Sequence, residues 1–518
     1  QLRYTCSNRL SLPTYLLFST NMSVRVRFAP SPTGKQHLGG LRSAVFNQLF
    51  ALSQKGTFIL RIEDTDQARF VEGSVEDLTE SLNWLGITPD EGVYMAPDGT
   101  IQERGDFGPY VQSKRLEIYR EHVERLVAEG KAYRCFATPA ELEEMRKQQQ
   151  AMSLPPRYDR RFRDYPAEEV EKRLAAGEPY VIRQAMPLGG DVIVHDAVRG
   201  EITFQCAELD DHVLLKADGF PTYQLANVVD DHLMQISHVL RAEEWLPSAP
   251  KNVLLYEAFG WEPPVWVHLP QVLGEDKSKL SKRHGAEPIL TYRDRGYLPQ
   301  ALLNVLAFLG WNPGSEEEIF THEELGKHFT LERIQKAGAV FNPDRLDYMN
   351  GVYIRALPVG EVAEQMKPYL EKAEIVAKSP RADLSDAEYL LLVARLLQDR
   401  FKHFDETKEF SWFFFSRPKP DQNLKELVVP KRATWEEVLP ILTAAIDVLE
   451  ELPADAWTIE ALELALISFA QKNEYKNGIV LWPIRAALTG ESATPGSFEM
   501  LSALGREESL IRLRAVIA

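Results

Sequence analysis

Apolar and polar residues alternate from Val24 to Phe28 (V-R-V-R-F), which reads as a short β-branched strand with alternating arginines. A turn-rich run follows, Ala29-Pro-Ser-Pro-Thr-Gly34. The period then lengthens, predicting a helix from Leu38 to about Leu52, and Thr57–Ile62 reads as a second strand. Strand, glycine-containing loop, helix and strand in that order predict the β-α-β opening of a parallel sheet. Helical spacing dominates 74–86 and 113–130. Strands are expected at Tyr180–Arg183, Val192–His195 and Ile202–Gln205. Strand and helix alternate again through Val213–Leu215 and Thr222–Val229, a helix fits 245–259, and a strand fits Val265–Leu269. The pattern predicts a doubly wound sheet interrupted by an insert over roughly 111–221.

After Gly285 the pattern turns almost wholly helical, with helices expected at Pro299–Leu309, Leu331–Gly338, Asp386–Phe404, Trp435–Leu452 and Thr458–Lys472. No internal repeat and no low-complexity domain is evident. The fold class expected is α/β: a doubly wound, Rossmann-like parallel-sheet domain with an α+β insert, followed by an all-α C-terminal region.

A chain of 518 residues suggests about three to five domains. Its formal charge of −17 argues against a non-specific nucleic-acid binder, but a local basic face suffices for a specific RNA. Two basic runs stand out: Arg157, Arg160, Arg161 and Arg163, then Lys277, Lys279, Lys282 and Arg283. Cys6, Cys135 and Cys206 are too far apart for a zinc ribbon or a disulfide framework, so neither a metal site nor oxidising conditions are expected. No apolar run approaches the ~20 residues needed to cross a bilayer, and no membrane partner is expected. Residues 1–22 lack acids and carry Arg3 and Arg9 among several Ser and Thr. They are expected to be a disordered extension ahead of a start at Met22, giving a cytoplasmic protein; a transit peptide, and so an organelle, is the alternative.

Two constellations carry chemistry. Arg27-Phe-Ala-Pro-Ser-Pro-Thr-Gly-Lys-Gln-His37-Leu-Gly-Gly40 lies between a strand and a helix start, where backbone N–H groups and the helix dipole stabilise phosphate. Gly39 and Gly40 let a base or phosphate approach the backbone, and His37 can donate to an α-phosphate. The loop is neither a P-loop nor G-x-G-x-x-G. Lys277-Ser-Lys279-Leu-Ser281-Lys282-Arg283-His-Gly285 follows the last strand and offers mobile ammonium groups suited to a polyphosphate. Alone, each run is also an ordinary helix start or a solvated loop. As a pair some 240 residues apart, they point to one nucleotide site.

The pair resembles the HIGH and KMSKS signatures of class I aminoacyl-tRNA synthetases. R-F-A-P-S-P-T-G, L-R-I-E-D-T-D (60–66), P-T-Y-Q-L-A-N-V-V-D-D-H (221–232), H-V-L-R-A-E-E-W (238–245), L-S-K-R-H-G (280–285) and G-Y-L-P-Q-A-L-L-N (296–304) resemble bacterial-type glutamyl-tRNA synthetases. The resemblance runs from Val24 to about Tyr353. It implies a Rossmann-like catalytic domain at 23–110 and 222–275, with an acceptor-end-binding insert at 111–221. It also implies a stem-contact domain with the KMSKS-like loop at 276–358 and a helical anticodon-binding domain at 359–518.

It further implies roles for single residues. Arg27 and Arg241 would hold the substrate's side-chain carboxylate, with Ala29, Ser31, Glu63, Tyr223 and Asn227 completing a glutamate pocket in which Glu63 faces the ammonium. His37, Gly39, Gly40, Glu244, Trp245, Lys279 and Lys282 would line the ATP site, and His37, Lys279 and Lys282 would act on the reacting phosphates. ATP enters as substrate with Mg²⁺, and the partners implied are L-glutamate and tRNA-Glu, bound by a monomer. Arg241 favours glutamate, because glutamyl relatives carry arginine there and glutaminyl enzymes a small uncharged residue. A glutamine amide would leave a buried guanidinium unpaired. The Arg157–Arg163 run is the obvious phosphate contact of the insert, and Lys431 and Arg432 are anticodon candidates. A glutaminyl enzyme, a non-catalytic tRNA-binding paralogue and a shorter nucleotidylyltransferase are the competing readings.

Overall fold

The structure, a computed structural model, describes residues 23–280 and 287–518. The extension at 1–22 and residues 281–286, which include Ser281, Lys282 and Arg283, lie outside the described residues. The chain divides into two compact units. One takes the residues up to Thr291 together with Leu302–Pro343, the other Tyr292–Ala301 with Asp344–Ala518. The stretch expected as one domain over 276–358 is thus shared between them.

The first unit opens with strand β1 (Arg25–Phe28), helix α1 (Leu38–Gln54) and strand β2 (Thr57–Leu60). β1 pairs with β2 in parallel, β2 with β3 (Glu91–Met95) in parallel, and β3 with β4 (Ile101–Arg104) antiparallel. Further along this unit come α2 (Tyr223–Leu233), β10 (His238–Ala242), α3 (Ala249–Phe259) and β11 (Val265–Leu269). β10 lies parallel to β11. It abuts β1 through its first turn: the Arg25 amide donates to Ser237 Oγ at 2.8 Å and the Ser237 amide to the Arg25 carbonyl at 3.0 Å. α1 is nearly all buried, and Asn47 Nδ2 donates to the Leu240 carbonyl at 3.1 Å, fixing the helix over the junction of the two strand sets.

The expected insert is split. Its β5 (Ala132–Cys135), β6 (Val181–Gln184) and β9 (Val213–Leu215) form a separate antiparallel sheet around Tyr133, Cys135, Phe136, Met145, Tyr158 and Phe162. The hairpin β7 (Asp191–Asp196) and β8 (Gly200–Gln205) instead extends the catalytic sheet, β7 lying parallel to β11 with Asp196 beside Trp266. The reason is local: β7 presents Val192, Val194 and Asp196 as one buried face, and a strand edge was available beside β11.

Leu331–Gly338 is not the helix its spacing predicts. Only Leu331–Arg333 makes a helical turn. The amides beyond go to distant carbonyls, Gln335 to Gly310 at 2.8 Å and Ala339 to Gln271 at 2.9 Å, leading into the short parallel pair Val272–Leu273 and Ala339–Val340. At Gly338 a Cβ would sit 2.6 Å from a Leu273 methyl, so the strand approach requires glycine there.

The second unit is helical, built around Val362, Met366, Tyr389, Phe413, Ile446, Leu466, Ile484 and Leu513. Buried Arg512 donates to the carbonyls of Phe413 and Leu488 at 2.6 and 2.7 Å, satisfying the ends of two helices at once. Its charge is balanced by Glu508, which also holds Arg417.

Candidate active site

β1 and β10 stand side by side where the sheet order reverses, and a cleft opens beyond the carboxyl ends of such strands. Here it measures about 940 Å³. Every described site residue expected from sequence lines it; Lys282 lies outside the described residues. Arg27 comes from β1, Ala29 and Ser31 from the following loop, Glu63 from beyond β2, Tyr223 and Asn227 from α2, and Arg241 from β10. His37, Gly39 and Gly40 line it from the start of α1, with Glu244 and Trp245 after β10 and Lys279 after β11. Arg27 and Arg241 thus share one mouth with the 279 segment and His37.

The start of α1 faces this space uncapped. No side chain caps it and no acid lies in its first turn, so its free amides keep their positive end for an incoming anion. A Cβ at Gly39 would meet nothing within 4 Å. The His37 Nδ1 is buried without a hydrogen-bond partner. The loop before it is pinned: the Gln36 amide donates to Asp77 at 2.8 Å and the Glu63 amide to the Pro30 carbonyl at 3.1 Å. Lys279 and Glu244 form an exposed ion pair with each other. Trp245 stacks on Tyr223, ring centroids 4.4 Å apart.

The floor is a buried ionic network. Arg27, Arg61 and Arg115 meet Glu63, Asp230 and Asp231, cation for anion. Burial alone pushes the Asp231 carboxyl up, but Arg27 and Arg61 more than offset this and hold it below the usual range. Glu63 is held above it, because burial outweighs Arg61 and Arg27. Its Oε1 accepts from Arg61 at 3.1 Å and Asn227 at 3.3 Å, so Oε2 is the oxygen left for the cleft.

Arg241 stands apart from that network. Its Nη1 donates to Tyr223 Oη at 3.0 Å and its Nε to His268 Nε2 at 3.1 Å, and Nη2 is buried with no partner. No carboxylate lies in contact with it among the described residues. A buried cation with one N–H edge unused is a built receptor for an anion.

A family model described as tRNA synthetases class I (E and Q), catalytic domain, matches residues 23–348, and one described as an anticodon binding domain matches 361–517. The chain belongs to the class I tRNA synthetases. This synthetase is 46% identical over 495 residues to a glutamate–tRNA ligase of Dehalococcoides mccartyi, covering 96% of this chain and 97% of the relative. It is 43% identical to the glutamate–tRNA ligase of Chlorobium luteolum over 503 residues, 95% and 97% of the two chains. Among solved structures it resembles a glutamate tRNA ligase of Elizabethkingia meningosepticum in complex with its amino acid, with a TM-score of 0.84 at 36% identity, covering 96% of this chain and 99% of that one.

Two features of the synthetase were not foreseen. Asp231, which holds Arg27, lay inside a motif but was given no task. Its signal was present: Tyr223, Asn227 and Asp231 recur every four residues and so share one face of α2. The Arg157–Arg163 run is also partly engaged within the chain. Arg160 and Arg163 hold buried Asp211, while at the surface Arg161 pairs with Asp159 and Arg157 donates to the Ala207 carbonyl at 2.6 Å. The buried anion ties down Arg160 and Arg163; the exposed pair of Arg161 is the readier to exchange for phosphate.

Proposed function

We propose that this synthetase activates L-glutamate with MgATP and esterifies it to the 3′ end of tRNA-Glu. The family model spans both glutamate- and glutamine-type enzymes, so the side chain in the amino-acid pocket must decide. The observation that carries the choice is Arg241, a buried guanidinium with no carboxylate partner and an unused Nη2. A glutamate γ-carboxylate completes it; a glutamine amide presents one oxygen and a competing donor.

In this reading the γ-carboxylate meets Arg241 and the remaining Nη1 of Arg27. The α-ammonium meets Glu63 Oε2, whose raised pKa falls once a cation arrives. The α-carboxylate is already a nucleophile, so the first step needs no general base. It attacks the α-phosphorus in line while pyrophosphate leaves, and catalysis consists of positioning and charge stabilisation. His37 and the open start of α1 receive the α-phosphate, Trp245 offers its exposed ring to the adenine, and Lys279 with Lys282 draws off the pyrophosphate. Lys279 must exchange Glu244 for phosphate, an inexpensive exchange for an exposed pair. A terminal ribose hydroxyl of the tRNA then attacks the mixed anhydride. Magnesium belongs to the nucleotide in this scheme, since the described residues hold no cluster of three or more His, Cys, Asp or Glu that could cage it. The helical unit reads the anticodon, with exposed Lys431 and Arg432 as candidate contacts.

The test is amino-acid-dependent pyrophosphate exchange with tRNA present, glutamate against glutamine, followed by charging of tRNA-Glu and tRNA-Gln transcripts. Exchange supported by glutamate and not by glutamine is the expected result. Equal exchange with glutamine would overturn the assignment.

A further inference from the structure

Arg241 is held by a chain of buried groups that reaches into the β7–β8 hairpin. Asp196, the last residue of β7, accepts from the amides of Val198 at 2.9 Å and Arg199 at 2.8 Å through Oδ1. Its Oδ2 accepts from the His268 amide at 2.9 Å and contacts His268 Nδ1 at 2.7 Å. Across the same ring, His268 Nε2 meets Arg241 Nε at 3.1 Å. All three side chains are buried, and Arg241 also lies over the Trp266 ring, 4.8 Å from its centroid.

The chemistry of the ends fixes the middle. The Arg241 Nε has only a proton to give, so Nε2 must accept. The Asp196 carboxylate has no proton to give, so Nδ1 must donate. One form of histidine satisfies both: the neutral ring with its proton on Nδ1. Burial, outweighing the Asp196 bond, holds the His268 pKa below its ordinary value and keeps that form neutral. The reversed tautomer would set N–H against N–H and push the guanidinium out of its plane.

We propose that Asp196 and His268 are positioning residues for substrate choice: they fix the Arg241 guanidinium, through the tautomer of His268, so that its free Nη2 edge meets the side-chain carboxylate of glutamate. This rests on the reading of Arg241 as the carboxylate ligand. Neither residue lines the cleft. Both act through Arg241, and one comes from a hairpin that sequence reading assigned to the tRNA insert.

The experiment measures steady-state aminoacylation of tRNA-Glu over a range of glutamate, with ATP and tRNA saturating. The variants are Asp196→Asn, His268→Gln, His268→Leu, the double Asp196→Asn/His268→Gln, and Arg241→Ala. Asp196→Asn is isosteric, but its amide can donate to Nδ1 and reverse the tautomer. It should raise the glutamate KM about tenfold, as misplacing a charge-assisted hydrogen bond does, while kcat, and the ATP KM from a second series that varies ATP at saturating glutamate, move less than about twofold. Glutamine places an acceptor where Nε2 stood, so His268→Gln should lie nearer the wild type than His268→Leu. With glutamine there no tautomer remains to be set, so adding Asp196→Asn should raise the KM by less than about twofold more. A merely structural role for Asp196 would instead cost the same in both backgrounds, and that result overturns the proposal. Wild-type glutamate KM in Asp196→Asn, with Arg241→Ala impaired, overturns the relay and leaves the carboxylate reading standing. An unchanged KM in Arg241→Ala overturns both. Should Asp196→Asn fail to fold, the ordering of the two His268 variants decides: equal KM values would refute the relay.

Discussion

Arg27 Nε and Nη2 reach the two carboxylate oxygens of Asp231 at 3.0 and 3.2 Å, so this arginine comes to the cleft already paired. Asp231 also takes Arg61 Nη1 at 2.8 Å, and both partners are buried. The two arginines expected from sequence to share the substrate carboxylate are therefore unequal. One is held in a neutralised network and the other waits for its anion.

Removing the anion that two buried arginines share should cost stability more than binding. Asp231→Asn leaves Arg27 and Arg61 underpaired, and breaking a buried pair in this way costs about 3 to 5 kcal/mol. Urea unfolding followed by tryptophan fluorescence should show the transition of the catalytic unit moved to lower denaturant. An unchanged midpoint would mean that water or another group already neutralises Arg27.

Arg241 should behave in the opposite sense. Without substrate its charge is buried and lacks an anion, which is destabilising. Arg241→Gln should therefore melt at or above the wild-type temperature in the absence of glutamate. The glutamate KM should rise about a hundredfold, close to 2.7 kcal/mol of lost carboxylate binding. Differential scanning fluorimetry without glutamate checks the first half, and steady-state aminoacylation over a range of glutamate the second. A variant that melts well below the wild type would show that Arg241 is a structural group.

The contrast between these arginines marks what the sequence could reveal. β1, α1, β2 and β11 were legible because their apolar period is clean, and the cleft residues because their motifs sit at strand ends and helix starts. His268 and Asp196 were not, for a physical reason. Each lies in a short apolar strand, V-W-V-H-L and D-V-I-V-H-D, where one polar residue is indistinguishable from a solvent-facing one until the neighbouring strand is known. β10 was hidden similarly, since in H-V-L-R-A only two adjacent apolar residues stand between a histidine and an arginine. The 331–338 segment misled because Leu331 and Ile334 are spaced as in a helix, while its amides bond to residues far away in the chain.

Lys279→Ala separates chemistry from binding. The contact proposed for Lys279 forms with the departing pyrophosphate, so its loss should lower adenylate formation at least about a hundredfold, roughly 2.7 kcal/mol of barrier, with little change in glutamate KM. The ion pair it makes with Glu244 is exposed on both sides, so the variant should melt with the wild type. Single-turnover formation of glutamyl-adenylate is the direct measurement. Wild-type turnover would remove Lys279 from the mechanism.

A histidine outside the cleft should contribute to the loss of stability in acid. Both ring nitrogens of His212 are buried beside β9 without a side-chain partner, and burial with the nearby Lys251 pulls its pKa down to about 3, against the opposing backbone of Asp210. The folded value lies below the unfolded value of 6.5, so the unfolded chain takes up a proton that the native chain refuses. The stability tied to the neutral ring is fully present above pH 6.5 and drains away as the pH falls from there toward 3, by about 1 kcal/mol for each pH unit. His212→Leu removes that proton uptake, and no side chain loses a hydrogen bond to the ring. Its unfolding midpoint should equal or exceed the wild type at pH 7.5 and pull ahead progressively between pH 6 and pH 4. Parallel curves for the two proteins over that window would mean that the ring is hydrated and that some other group governs the acid limb.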